Sequence, residues 1–304
     1  MNLTMRLSSE LLNLLPTTED IAFYREHGWY ISKKIFSDEE IDELYTASER
    51  FYAGERDAQL PAPIKSYLDW TPDKGDSLRL NDYIVIQSQK FRQFSVNPLL
   101  GAIAAKLSGT DQIRLFNSSL IYKPSRDTGE DTLVGWHTDR AYWKTCTSDS
   151  MLTAWIPLHD CNEQMGTLTV IDGSHLWPNT ELIQEMRNSK TFLCDNFERL
   201  ESQLNKCGMF IKKVPIIIKK GQVSFHHCLT FHGSGLNLST QPRRALILHL
   251  QDQQNQYRVY LNPDGQPYLY NNDLFCRKLA NGYPDYSDPL ICPVLWQEEI
   301  SGTN

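Results

Sequence analysis

Two hydrophobic rhythms divide the chain. In the first third, apolar residues recur at helical spacing behind clear start signals. Thr17 and Thr18 precede Glu19 and Asp20, and Ile21, Ala22, Phe23 and Tyr24 follow. This predicts an N-capped helix with acids in its first turn. Gly28 is the expected stop, and Trp29-Tyr30-Ile31 reads as a short strand. Ser37-Asp38-Glu39-Glu40 opens a second capped helix whose apolar side carries Ile41, Leu44, Tyr45 and Ala47. Residues 54–78, rich in Pro, Asp and Gly, read as a loop and a candidate lid, and Pro98 to Leu107 as another helix.

From Gln112 onward the rhythm becomes that of strands. Ile113 to Tyr122, Leu152 to Leu158, Thr167 to Ile171, Lys213 to Ile218, Val223 to Phe231 and Ala245 to Gln251 are the predicted strands. The third ends in the turn Asp172-Gly173-Ser174. Residues 179–210 interrupt the series with a helical insertion, around Glu181-Leu182-Ile183 and Phe197 to Leu204. Short strands with Gly and Pro turns imply a closed or double-sheet β architecture. The expected fold is mainly β with flanking helices: a double-stranded β-helix (jelly-roll, cupin-like) core with N-terminal helices outside it. Residues 1–304 read as a single domain, with 17–111 as N-terminal support, 112–251 as the core and 252–304 as a C-terminal extension.

Composition narrows the function classes. The net charge of −7 argues against a nucleic-acid partner, which normally meets a basic face. No polybasic segment suits a membrane surface, and no apolar run approaches the ~18 residues of a spanning helix. Met1 to Pro16 has no apolar core followed by a small-residue cleavage site, so no signal peptide is read there. The seven cysteines, Cys146, Cys161, Cys194, Cys207, Cys228, Cys276 and Cys292, are scattered and odd in number, without a C-x-x-C pair. Reduced thiols in a cytoplasmic protein are expected. The partner expected is a small molecule, and the sequence carries no signal for an oligomeric state.

The candidate chemistry centres on Gly135-Trp136-His137-Thr138-Asp139. On an extended strand, residues two apart share a face, so the imidazole and the carboxylate can reach one point. A second imidazole would complete a 2-His-1-carboxylate facial triad, which leaves positions on Fe(II) open for a co-substrate and O2. The downstream candidates are His159, His175, His226, His227, His232 and His249. His232 stands out because it ends an apolar run and precedes Gly233-Ser234-Gly235, a turn that lets a ligand approach. His226, six residues earlier, would share its face deeper in the barrel if the strand were regular, while His227 has the opposite parity. Taken alone, each of these histidines is better read as an ordinary hydrogen-bonded structural residue. The combination with His137 and Asp139 selects His232.

Eleven residues beyond His232, Pro242-Arg243-Arg244-Ala245 opens the last core strand. A guanidinium grips a carboxylate through two parallel bonds. If the co-substrate is 2-oxoglutarate, its far carboxylate needs such an anchor, and Arg243 is the expected one, with Ser234 as a hydroxyl helper. Only one of two adjacent strand residues can point inward.

With these residues in place, the chain resembles the phytanoyl-CoA dioxygenase-like (PhyH) family of Fe(II)/2-oxoglutarate oxygenases, which includes ectoine hydroxylase. The resemblance covers roughly residues 17 to 251. It rests on separated motifs in one order: Leu120-Ile121-Tyr122-Lys123-Pro124, Trp136-His137-Thr138-Asp139, Thr153-Ala154-Trp155-Ile156-Pro157-Leu158, Gly166-Thr167-Leu168 with Gly173-Ser174-His175, and His232-Gly233-Ser234-Gly235 with Asn237 and Arg243. An isolated H-x-D is common by chance; the ordered set is specific. The resemblance implies that His137, Asp139 and His232 bind iron and that Arg243 holds the 2-oxoglutarate tail. It further implies that Thr153 and Ser234 hydrogen-bond the co-substrate and that Asn117 supplies an amide contact. His175 belongs to its turn rather than to the ligand set. The implied reaction couples decarboxylation of 2-oxoglutarate, giving succinate and CO2, to attack by O2 on a substrate C–H bond. Related halogenases carry a small residue where Asp139 stands, so hydroxylation is the expected outcome; desaturation, epoxidation or cyclisation would use the same triad.

The substrate side is less sharply marked. Trp155 is expected on a metal-facing strand as a pocket wall or as ordinary core. Arg140, Tyr142 and Trp143 follow the H-x-D directly and are expected near the mouth, where Arg140 would grip an anion or pair with a surface acid. Arg79, with Asn81 and Tyr83, precedes a strand that would line the opening. The segments 54–78, 125–134 and 179–210 are the candidate lids. The expected substrate is a small specialised metabolite, because the Lys212-Lys213 and Lys219-Lys220 pairs read as solvated turns rather than a docking patch. Two rival readings stand beside this one. A non-catalytic ligand-binding jelly roll would lack a triad or anchor residue, and none is missing. A zinc hydrolase would need a general base such as the Glu of H-E-x-x-H, and that motif does not occur.

Overall fold

The fold was obtained as a computed structural model, which describes residues 6–64, 70–129, 132–193 and 197–298. The helix starts follow the local sequence closely. Thr18–His27 is closed by a capping box between Thr17 and Asp20, and Gly28 ends it at φ 77°, a left-handed turn that costs glycine little. Asp38–Tyr52 has the same box between Ser37 and Glu40. Pro98–Ser108 begins with Pro at its first position and is buried along most of its length.

The described strands are β1 Trp29–Ile31, β2 Arg79–Asp82, β3 Gln112–Lys123, β4 Val134–His137, β5 Leu152–Pro157, β6 Thr169–Ile171, β7 Lys213–Pro215, β8 Ser224–His227, β9 His232–Ser234, β10 Arg243–Asp252 and β11 Val294–Gln297. They form two antiparallel sheets. The larger runs β1-β8-β5-β10-β3-β11, with β2 also paired to β3; the smaller runs β4-β9-β6-β7. The sheets face one another as an open sandwich rather than a closed barrel. Insertion helices lie at Glu181–Asn188 and Phe197–Lys206. Parts of the three candidate lids (65–69, 130–131 and 194–196, the last including Cys194) lie outside the described residues.

Period-two alternation sorts the large sheet into two faces. Leu246, Leu248 and Leu250 of β10, Ala154 and Ile156 of β5, and Phe225 of β8 point outward. There they meet Ile41 and Leu44 of one helix and Leu100 and Ile103 of another in a single apolar cluster. The alternate residues of the same strands point inward. The register sets them in rows across the sheet: Lys123 beside Arg243, then Ile121 beside Ala245, then Ser119, Ile247 and Trp155, then Asn117, His249, Thr153 and His226. The outer face holds the helices; the inner face carries the chemistry.

One element departs from its pattern. Val223 to Phe231 reads as a single strand, yet the chain turns after His227 and re-enters the other sheet at His232. His226 and His232 therefore do not share a strand face. They approach from opposite sheets, with ring centroids 4.3 Å apart.

Candidate active site

Strand register builds the metal-binding geometry. His137, at the end of β4, pairs directly with His232 at the start of β9, and the two ring centroids are 4.2 Å apart. Gly233 permits that pairing: a Cβ there would lie 2.8 Å from the Val134 carbonyl oxygen and 3.1 Å from that of Gly135. Thr138 keeps the extended backbone, so Asp139 returns to the side of His137 before the chain tightens into a turn. Ligand atoms of His137, Asp139 and His232 then all lie within 4.8 Å of one another, and all three residues are buried.

Hydrogen bonds decide which nitrogen each imidazole offers. Nδ1 of His137 donates to the Gly135 carbonyl at 2.8 Å, and Nδ1 of His232 donates to that of Thr230 at 3.0 Å. Both Nε2 atoms are left with lone pairs, as metal ligation requires. Nε2 of His232 stands 3.5 Å from Oδ1 of Asp139. The other carboxylate oxygen, Oδ2, accepts from the Thr153 hydroxyl at 2.5 Å and from Nε2 of His226 at 3.2 Å. His226 is thereby a brace for Asp139 rather than a third imidazole ligand.

The protonation states suit a divalent metal. Burial lowers the pKa of His137, against the opposing pull of Asp139. Burial, with His137 and His226 nearby, holds His232 well below the usual range. Burial works to raise Asp139, but His232, His249 and His226 outweigh it and keep the carboxylate ionised. Two neutral imidazoles and one carboxylate fit Fe(II), whose ligand preferences they match.

Arg243 lies on the inward face of the larger sheet, 1% exposed, and lines the same cavity as the three ligands. Its Nε is buried without a hydrogen-bond partner among the described residues, and its guanidinium sits 5.5 Å from the Trp155 ring. Burial pulls its pKa down to about 10, so it remains a cation at neutral pH. No acidic side chain among the described residues pairs with it, and a buried cation so placed is costly unless a ligand supplies a counter-charge. Arg244 has the opposite parity and turns outward onto Ser48, Glu49 and Tyr45.

A cavity of about 750 Å³ joins these groups. Of the residues expected to contact co-substrate or substrate, Thr153, Ser234, Asn117, Trp155, Tyr142 and Trp143 all line it. Asn117 donates through Nδ2 to the Tyr270 hydroxyl at 2.9 Å, and Thr153 also meets Nδ1 of His249 at 2.8 Å.

Two expected substrate residues lie elsewhere. Arg140 bonds Asp149 at 2.6 Å and the carbonyls of Trp143 and Cys146, and so staples its own turn. Arg79 is packed among Trp70, Tyr122 and Tyr52, at 3.8, 4.1 and 4.8 Å from the rings, and pairs with Asp76. Its strand does reach the cavity, but through the alternate residues Leu80 and Asp82. The insertion, one of the candidate lids, contributes Lys190 and Phe192 to the cavity wall, and the C-terminal extension, for which the sequence suggests no part in the site, contributes Tyr268, Leu269, Tyr270, Asn271 and Leu274. Nothing in the local pattern of the extension marks it. His249 was visible as a histidine on an inward-facing strand.

Comparison with known proteins agrees with this geometry. Residues 24–245 match the family model described as phytanoyl-CoA dioxygenase (PhyH). The chain is 25% identical over 251 residues to peroxisomal phytanoyl-CoA dioxygenase of Mus musculus, covering 78% of this chain and 69% of that protein. It is 24% identical over 258 residues to ectoine dioxygenase of Bordetella bronchiseptica, covering 81% and 78%. A probable alpha-ketoglutarate-dependent hypophosphite dioxygenase of Stutzerimonas stutzeri is 32% identical over 141 residues, 45% of each chain. Among solved structures, the carbocyclase SnoK from nogalamycin biosynthesis superposes with a TM-score of 0.68 at 21% identity, covering 93% of this chain and 97% of its own. The epimerase SnoN from the same biosynthesis, solved with Fe3+, alpha ketoglutarate and nogalamycin RO, gives 0.66 at 22% identity, covering 94% and 99%. Among the described residues no helix is long and apolar enough to cross a membrane. The chain belongs to the phytanoyl-CoA dioxygenase (PhyH) family of iron- and 2-oxoglutarate-dependent dioxygenases.

Proposed function

We propose that this protein hydroxylates an unactivated C–H bond of a small metabolite, in specialised metabolism, with iron held by His137, Asp139 and His232. Arg243 grips the distal carboxylate of 2-oxoglutarate, with the Ser234 hydroxyl beside it, and Thr153 and Asn117 complete the polar lining. The observation that carries the reading is the buried Arg243 guanidinium, which no acidic side chain among the described residues pairs with, lining the same cavity as the His-Asp-His cluster. Iron with 2-oxoglutarate and O2 supplies the oxidising power, and the co-substrate leaves as succinate and CO2.

The chain's own part is positioning and exclusion of water. His226 and Thr153 hold one oxygen of Asp139 and leave the other for the metal. Trp155, Tyr142 and Trp143 wall the cavity, whose volume of about 750 Å³ suits a metabolite-sized ligand. The carboxylate in the triad favours hydroxylation over halogenation. Lining residues run from Pro63 to Leu274, which supports reading the chain as one catalytic unit whose C-terminal extension closes the mouth.

A second reading, ring closure or epimerisation, draws on the likeness to SnoK and SnoN. Both readings are tested together. Anaerobic Fe(II) and 2-oxoglutarate should produce a visible charge-transfer band, and a metabolite screen monitored by succinate release should find the substrate. A product that gains one oxygen as a new hydroxyl by NMR supports hydroxylation, and one that loses two hydrogens without a new double bond supports ring closure. An unchanged product mass with an inverted centre supports epimerisation. Absence of both the band and 2-oxoglutarate-dependent succinate would remove the oxygenase reading.

A further inference from the structure

Donor counting around Asp139 leaves Nε2 of His249, on the cavity wall, without a role. The ionised carboxylate only accepts, so the single hydroxyl proton of Thr153 goes to Oδ2 at 2.5 Å. The Thr153 oxygen must then accept from Nδ1 of His249, 2.8 Å away. That relay puts the His249 proton on Nδ1 and leaves Nε2 as a bare acceptor. The ring is held edge-on by Trp143, with centroids 4.9 Å apart. His249 lines the cavity and keeps 14% of its side chain exposed there, yet Nε2 has no hydrogen-bond partner among the described residues. It also stands outside the cluster whose atoms can hold one metal ion.

We propose that Nε2 of His249 receives a hydrogen bond from a hydroxyl or N–H of the prime substrate, in the row of the larger sheet that also braces Asp139 through Thr153 and His226. This assignment rests on the oxygenase reading for its purpose, since it fixes a polar handle of the substrate near the metal. It narrows the substrate class to molecules with an O–H or N–H donor close to the oxidised carbon. A pure hydrocarbon body presented to that wall would leave a buried acceptor unsatisfied, which costs affinity.

Benzyl alcohol and benzyl methyl ether serve as probes, because they share a ring and an oxygen and differ in the donor. Their affinities are measured by calorimetry on the anaerobic protein loaded with Fe(II) and 2-oxoglutarate. The wild type should prefer the alcohol on the order of 3- to 10-fold, the range of one neutral hydrogen bond. His249→Phe should lose the preference, and His249→Gln, which restores an acceptor oxygen, should retain part of it. If His249→Phe fails to fold, His249→Leu takes its place in the same comparison. A wild type that binds the two equally or fails to bind the alcohol, or a preference that survives removal of the acceptor, overturns the proposal. The charge-transfer band of the same samples reads the oxygenase assignment separately, and calorimetry registers the alcohol preference whether or not the band forms.

Discussion

The rear and the mouth of the cavity are built by different means. The rear is made of neighbouring strands: Arg243, Ile247 and His249 stand on β10, Ile121, Ser119 and Asn117 beside them on β3, and Thr153 and Trp155 on β5. The mouth is assembled from loops and from the C-terminal extension, through Tyr142, Lys190, Phe192 and Tyr268 to Leu274. Several of its apolar residues remain open to solvent, with Leu269 61% and Leu274 48% exposed. A rigid ladder suits groups that every catalytic cycle must hold in one geometry. Loops suit the part of the site that distinguishes one substrate from another. On the proposed reading, the ladder holds the co-substrate anchor and one polar contact to the substrate, the paired strands β4 and β9 with the turn after β4 hold the metal from the facing sheet, and the rest of the selectivity belongs to the mouth.

The strongest way to break this division is at the triad. His137→Ala or His232→Ala should abolish iron binding and turnover, as metal analysis and succinate release would show. Full metal content with normal turnover in either variant would take that residue out of the ligand set. Arg243→Ala should weaken 2-oxoglutarate by ~2–5 kcal/mol, the range for stranding one member of a buried charged pair, with little change for the prime substrate. An unchanged co-substrate KM would move the anchor elsewhere. Gly233→Ala should force β9 away from the Val134 and Gly135 carbonyls and separate the two imidazoles. We expect iron affinity to fall roughly 10-fold or more from misplaced ligands, with a smaller loss in Tm; a loss confined to Tm would show that the strands readjust. At the mouth, Leu274→Ala should shift the prime-substrate KM by about 10-fold or less, at ~1 kcal/mol for lost apolar contact, and leave the 2-oxoglutarate KM alone. Equal shifts in both constants would erase the distinction. Arg79→Ala should be the quietest for chemistry: it loosens the aromatic packing on the outer side and lowers Tm, and leaves kcat and both KM values near wild type. A selective rise in substrate KM would return Arg79 to the mouth.

Much of this protein is legible in its residue pattern because the relevant physics is local. Capping boxes at Thr17 and Ser37 announce helix starts through bonds that span three residues. Alternation along β10 assigns Arg243 and Arg244 to opposite faces without reference to any other strand, and the H-x-D spacing places an imidazole and a carboxylate together in the same way. Local rules stop where the chain chooses partners. Nothing between Val223 and Phe231 says that it must leave one sheet and enter the other, so only tertiary pairing could bring His226 and His232 in from opposite sides. Parity is equally silent about direction: Arg79 and Leu80 alternate as expected, but which of them faces the cavity depends on how β2 docks on β3. The wall from Tyr268 to Leu274 lies far along the chain from the metal ligands, in a segment of unremarkable composition. Its place at the mouth follows from long-range packing, whose free energy is shared among many distant contacts and leaves no mark at any single position.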